Sequence, residues 1–227
     1  MKTEVLLQVL ESIEANRAIV LATNLDSGEQ RLLRTGEGEG DDERTHVLTA
    51  LRFDKPVTTE PDRGPRLFYQ PFNPPLRMVL VGAVHIAQPL STMAALAGYE
   101  VTVVDPRSAF AAEARFPGVT LDLSWPDEAL ESIGLDARCA VVTLTHDPQL
   151  DDAALPVALR SEAIFSGCLG SKKTPATRLT RLRKAGFTDA ELERIQGPVG
   201  LPIGSRSPSE IAVSVLAQVI ETLRKPQ

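Results

Sequence analysis

RMVLVGAVHIAQPLSTMAALAGYEVTVVD, residues 77 to 105, decides the fold. RMVLVG (77–82) is an unbroken apolar run of strand length, and IAQPLSTMAALAG carries apolar side chains at helical spacing up to a closing Gly98. EVTVVD (100–105) is rich in β-branched residues and reads as a second buried strand. A strand, a helix and a strand at this spacing make a βαβ unit, whose right-handed crossover demands a parallel pair.

The same alternation runs on downstream. WPDEALESIG opens a helix with proline and acids, CAVVTLTHD is a strand ending in polar residues, and DPQLDDAALPVALRS is a helix. EAIFSGCLG reads as a short strand before a helix over 174–185, and SPSEIAVSVLAQVIETLRK closes the chain as a helix with basic residues in its last turn. The expected class is α/β, a doubly wound parallel-sheet, Rossmann-like domain, with ligands at the carboxyl ends of its strands.

Upstream the pattern is weaker. EVLLQVLESI (4–13) has helical periodicity, and AIVLAT and QRLLR are strand-like. TGEGEGDDER is glycine-rich and acidic, which favours a mobile turn, and PDRGPRLFYQPFNPP forbids a long helix before residue 76. The boundary is placed near Leu76, giving a small α+β domain over 1–76 and the Rossmann-like domain over 77–227.

Composition narrows the function classes. In 227 residues there are 24 basic and 30 acidic side chains, a net charge of −6 that argues against nucleic acid or an anionic membrane as the main partner. No apolar run approaches the roughly 20 residues of a membrane span, and no leader pattern opens the chain, so a cytoplasmic location is expected. Cys139 and Cys168 lie in strand-like surroundings without metal-ligand spacing and read as reduced thiols.

Four strand-end loops hold the chemistry. GAVHIA (82–87) sits where a dinucleotide fingerprint would, with Gly82 kept, Val84 in place of the second glycine, and Ala87 as the tolerated third small residue. Asp105 stands where a ribose-binding acid belongs, and Arg107 would neutralise it or meet a phosphate. The alternative for this loop is a plain βα turn. In THD (145–147), Thr145, His146 and Asp147 would face the crevice as hydrogen-bonding or proton-exchanging groups, or would simply bond turn backbone and open the next helix.

GCLGSKK (167–173) is the third loop. Gly167 and Gly170 would expose main-chain N–H groups, Ser171 would cap a helix, and Lys172 and Lys173 would add charge where the helix dipole favours an anion. This makes a phosphate seat, although two residues between the glycines are too few for a Walker A loop. Cys168 beside it is a small packed thiol or a contact to metal or sulfur. Arg178, Arg181, Arg183 and Lys184 further along read as a solvated face or a docking surface. In GPVGLPIGSRSPSEIA (197–212), glycines and prolines impose a rigid path that shapes a pocket bringing Ser205 and Arg206 near the crevice, or a connector capped by Ser207.

GAVHIAQPL, VTVVDPRSAFAAEARFP, TLTHDPQLDD, GCLGSKKTPATRLTRL and GPVGLPIGSRSPSEIAVSVLAQV, in this order and spacing, resemble the C-terminal Rossmann domain of the XdhC and CoxI family, accessory proteins of molybdenum hydroxylases. The resemblance covers about residues 77 to 223. It implies a chaperone, not itself the catalyst, that binds molybdenum cofactor (molybdopterin or its dinucleotide form) and shields it while a cysteine desulfurase replaces an oxo ligand by sulfido. Delivery to a xanthine dehydrogenase- or carbon monoxide dehydrogenase-type apoenzyme would follow. It also implies that residues 1–76 correspond to a shortened version of a longer N-terminal domain. Gly82, Ala83, Val84, His85, Asp105, Arg107, Thr145, His146, Asp147, Gly167, Cys168, Gly170, Ser171, Lys172 and Lys173 are the expected cofactor-binding residues. NAD(P) binding by an oxidoreductase, a ligand-free interaction module, and a homodimer stay open.

Overall fold

The computed structural model describes residues 3–59, 64–145, 147–170 and 174–225, with backbone only for 174–177. His146, Ser171, Lys172 and Lys173 of the expected site lie outside the described residues. The chain divides into two compact units, residues 1–74 and 75–227.

The first unit runs α1 (Thr3–Glu14), β1 (Ile19–Asn24), β2 (Gln30–Leu33), α2 (Gly40–Phe53), β3 (Val57–Thr58) and β4 (Leu67–Phe72), with an antiparallel sheet in the order β2-β1-β4-β3. The β1–β2 hairpin turns on Asn24, whose Oδ1 accepts from the N–H groups of Asp26 and Ser27.

The expected mobile turn at TGEGEGDDER is corrected: its second half is the start of α2. Acids in a first helical turn complement the dipole. Glu43 also turns inward, where its carboxylate accepts from Arg31 Nη2 at 2.6 Å, Glu39 N at 2.6 Å and Tyr69 Oη at 3.0 Å. Three donors offset the desolvation of this buried acid. Val47, Ala50 and Leu51 follow at helical spacing and pack on Val20, Ala22, Leu33 and Tyr69. The proline-rich stretch likewise conceals β4, because β3 flanks only Phe68 and Tyr69, leaving Pro71 past the paired stretch on that side.

The second unit runs β5 (Leu76–Val81), α3 (Ala87–Leu96), β6 (Tyr99–Val104), a 3-10 turn (Glu113–Arg115), β7 (Thr120–Asp122), α4 (Pro126–Ile133), β8 (Cys139–Thr143), α5 (Pro148–Arg160), β9 (Phe165–Cys168), α6 (Thr174–Lys184), α7 (Asp189–Leu192), β10 (Ile195–Gln196) and α8 (Pro208–Arg224). Its six strands are all parallel, in the order β10-β9-β8-β5-β6-β7. The chain winds outward from β5 through β6 to β7, then returns to β8 on the other side, so the topological switch lies between β5 and β8.

Alternation along the strands sends Met78, Leu80, Val101, Val103, Ala140 and Val142 to the face covered by α3 and α8. Val79, Val81, Val104, Cys139 and Val141 face α4 and α5. Both faces are apolar, as a parallel sheet between helix layers requires.

The glycine- and proline-rich loop after β10 is built onto α8. Gly200, at φ +108°, donates its N–H to Gln218 Oε1 at 2.6 Å, and a Cβ there would stand 2.4 Å from Ser214 Oγ. Gly200→Ala is therefore expected to cost roughly 2–4 kcal/mol. Gly204, at φ +80° but with open space around it, should lose only about 1 kcal/mol on the same change. Urea unfolding of the two variants separates steric overlap from backbone strain; equal losses would remove the overlap from the explanation.

Candidate functional site

Beyond the last paired residues of β5 and β8, the two chains stay in close contact. Gly82 has φ +107°, and a Cβ added there would lie 2.3 Å from Thr145 Cγ2. A glycine is thus fixed by the neighbouring strand end as well as by its own backbone. Leu144 N donates to Val81 O at 2.9 Å and Gly82 N to Val104 O at 2.8 Å, which keeps the three strand ends level. Ala83 is fully buried, Val84 and Ile86 are half-buried against the core, and His85 is exposed. Val84 therefore packs its side chain inward where the dinucleotide fingerprint has glycine. α3 begins at Ala87 with no side-chain cap, and Ala87 N donates to Val84 O at 3.1 Å.

Asp105, fully buried, is the bolt of this corner. Oδ2 accepts from Ala83 N at 2.8 Å and Arg107 Nη2 at 2.7 Å, while Oδ1 accepts from Arg107 N at 3.0 Å and Arg107 Nε at 2.8 Å. Those four bonds fill the lone-pair sites of a carboxylate. Asp105 thus ties the β5 turn to the end of β6, and a sugar hydroxyl there would have to take the place of one of these donors. Burial alone would raise its pKa, but the Arg107 side chain and the two N–H donors outweigh that and hold it lowered. Arg107 is pushed up in turn, by its bond to Asp105 and, more weakly, by the charges of Asp105 and Asp147. Its side chain keeps 37% exposure and lies over the Phe110 ring, 4.6 Å from the centroid.

Thr145 is buried and donates from Oγ1 to Asp151 Oδ1 at 2.7 Å. Asp147, half-buried, caps α5 by accepting from Gln149 N at 3.0 Å. The turn-forming role of both residues is thus realised, and Asp147 still reaches Arg107 electrostatically.

The 167–170 segment differs from expectation in detail. Gly167 does not expose its main chain in a turn; it is a buried β9 residue, where a Cβ would lie 2.5 Å from Phe165 Cε1 and 2.6 Å from Val199 Cγ2. Cys168 is buried too, as a packed thiol would be, and burial pushes it up to about 11 against the pull of Arg178. Cys139 is likewise pushed up by burial, to about 12. Both are free. The turn itself begins at Leu169, whose N–H donates to Thr143 O at 2.8 Å, with Gly170 half-exposed after it.

The basic face expected on α6 is mostly paired. Arg178 is buried and its Nη2 donates to Asp151 Oδ2 at 2.5 Å, Arg181 forms a two-bond pair with Asp152, and Arg183 pairs with Asp189 at 2.8 Å. Asp151, whose pKa is raised by burial despite Thr145 and Arg178, was missed as a site-building residue. Its signal was its place four residues after Asp147 on α5, and Arg178 stands four residues before the buried Leu182. The chain Thr145–Asp151–Arg178 fastens α6 to the strand end that forms the crevice wall.

Two cavities, of about 400 Å³ between Phe165, Arg194 and Thr222 and about 350 Å³ between Arg77, Tyr99 and Ile133, open at the amino ends of the strands. Arg194, the charged residue of the first, is committed to the carbonyls of Leu159, Ser161 and Ala163. In open parallel sheets ligands enter at the opposite end, where the chain reverses its winding direction. The crevice at Gly82, Arg107 and Thr145 is the candidate site on that ground.

This sheet order defines a Rossmann-type unit. A family model described as the XdhC Rossmann domain matches residues 78–219, and the chain belongs to that family. Among curated proteins it is 32% identical over 165 residues to a probable xanthine dehydrogenase subunit from Bacillus subtilis (strain 168), covering 72% of this chain and 48% of that one. It is 30% identical over 148 residues to the molybdenum cofactor insertion chaperone PaoD of Escherichia coli (strain K12), covering 65% and 40%. The chain therefore spans half or less of the length of these relatives. A crystal structure described as a xanthine dehydrogenase from Bacillus halodurans shares the fold, with a TM-score of 0.68 and 24% identity over 97% of this chain and 64% of that one. No helix among the described residues is long and apolar enough to cross a membrane.

Asp105→Asn should cost roughly 1–3 kcal/mol at pH 7, the worth of charged hydrogen bonds. A carboxylate whose native pKa is lowered stabilises the fold above its unfolded pKa, and that stability is lost as pH falls through the native value. The gap between wild type and variant should accordingly be full at neutral pH and close below about pH 4. Urea titrations across that range read it directly, and a gap independent of pH would contradict the assignment.

Proposed function

We propose that this chain is a carrier in the maturation of a molybdenum hydroxylase of the xanthine dehydrogenase or carbon monoxide dehydrogenase type. Molybdenum cofactor is its cargo. The terminal phosphate of molybdopterin, or the pyrophosphate of the dinucleotide form, is received in the crevice at the carboxyl ends of β5 and β8 and later released to the apoenzyme.

The observation that carries this reading is the main-chain turn at Gly82, opened against Thr145 at the switch point and leading into the uncapped start of α3. Such a helix start favours an oxyanion. Membership of the XdhC family and the insertion role of the PaoD relative supply the identity of that anion. Arg107 contributes reduced charge because Asp105 neutralises it, and the sequence carries two further cations, Lys172 and Lys173, in its GSKK segment.

The reading extends to sulfuration by a partner cysteine desulfurase while the cofactor is held. Support comes from the chain's own thiols: Cys139 and Cys168 are buried, and burial pushes them up, to about 12 and about 11, which disfavours either as a sulfur-carrying thiolate. No comparable observation favours NAD(P), whose ribose would find Asp105 fully bonded.

Protein purified from a molybdenum-replete host should carry molybdenum and pterin together, measured by elemental analysis and by fluorescence of the oxidised pterin. Changing Lys172 and Lys173 to Ala should weaken retention by roughly 1–3 kcal/mol for each charge-assisted bond lost. Pterin-free wild-type protein, or unchanged retention in the double variant, would refute the carrier reading or its lysine seat respectively.

A further inference from the structure

In the second unit, Tyr99, Phe116, Phe165 and Phe187 are buried, whereas Phe110 is 44% and Trp125 46% exposed. These two follow adjacent strands. Phe110 lies six residues beyond the end of β6 and Trp125 three beyond the end of β7. Asp105 N donates to Asp122 O at 3.0 Å, so the carboxyl ends of these strands are level with each other and with the Gly82 turn. Both exposed rings therefore belong to the crevice end of the sheet.

Arg107 joins them. Its guanidinium is gripped edge-on by Asp105 through Nε and Nη2, which fixes the plane, and it lies over the Phe110 ring at 4.6 Å. The turn that brings the ring there is closed by Phe110 N donating to Arg107 O at 2.8 Å. An aromatic ring left nearly half in water forfeits the burial that most of its kind obtain. Arginine planes and aromatic faces stack on flat heterocycles, and base stacking on aromatic side chains tolerates any ring with a π-face.

We propose that Arg107 and Phe110, with Trp125 as the outer wall, form a stacking platform for the planar nitrogen heterocycle of a phosphate-bearing ligand. The proposal rests on the carrier reading for its choice of ligand and deepens it. The phosphate end occupies the Gly82 turn, and the ring, a pterin or the base of a dinucleotide form, lies across the end of β6. Asp105 then positions Arg107 and touches no ligand.

Calorimetric titration of the whole chain with 6-hydroxymethyldihydropterin pyrophosphate, CDP and inorganic pyrophosphate tests this, because the three share an anion and differ in the ring. Phe110→Ala should weaken the ring-bearing probes about 5- to 150-fold, the range found when aromatic stacking partners are removed, and leave pyrophosphate unchanged. Trp125→Ala, also at an exposed position, should act in the same direction. The ring that loses more identifies whether the pterin end or the base end is seated there.

The platform is overturned if ring-bearing probes bind wild type no better than pyrophosphate, if Phe110→Ala leaves them unchanged, or if all three weaken alike. It is equally overturned if the two variants lose only association with the recipient enzyme, which would make the patch a protein-docking surface. Cofactor retention measured on the same proteins is a separate readout. Unchanged retention in Phe110→Ala leaves the carrier function standing without the platform, and a wild-type protein devoid of molybdenum removes the carrier function while the synthetic probes still report on the ring.

Discussion

The ends of β5 and β8 approach so closely that no side chain fits at residue 82. Thr145 occupies the volume a Cβ would need, and the positive φ of Gly82 turns the chain away from β8 into α3. Everything chemical at this end of the sheet is arranged around that contact. Asp105 holds the turn from the β6 side through Ala83, and Asp151 holds Thr145 from the α5 side while gripping Arg178 of α6. Two buried acids thus brace these strand ends, each with its oxygens taken by donors of the protein.

That division of labour bears on charge. A chain with six more acids than bases is a poor receiver for phosphate unless its local donors are uncommitted. Most arginines near the crevice are committed: Arg178 and Arg181 to α5, Arg183 to Asp189, Arg107 to Asp105. For the proposed phosphate seat, the second unit contributes main chain at the start of α3, and the sequence carries lysines at 172 and 173.

The βαβ pattern was legible because parallel strands covered on both faces are apolar without interruption and their helices are periodic, so residues 77–105 alone fix the architecture. Elements that depend on distant partners were not. α2 reads as a mobile acidic turn because the donors that bury Glu43 come from Arg31 and Tyr69, and β4 is hidden among prolines because its pairing with β1 and β3 makes it a strand. The site shows the same limit. Gly82, Arg107 and Thr145 could be placed at strand ends from loop position, yet the sequence cannot show that Asp105 is fully hydrogen-bonded, that Gly167 is wedged under Val199, or that Arg178 points inward. Those facts are pairwise contacts between residues far apart in the chain.

Locating molybdenum directly is the sharpest test. Anomalous diffraction at the molybdenum edge from crystals of the cofactor-loaded chain should place the metal outside the carboxyl ends of β5 and β8, with the phosphate end against the turn at Gly82. A metal peak at the amino-end cavities beside Arg194 or Tyr99 would contradict the account.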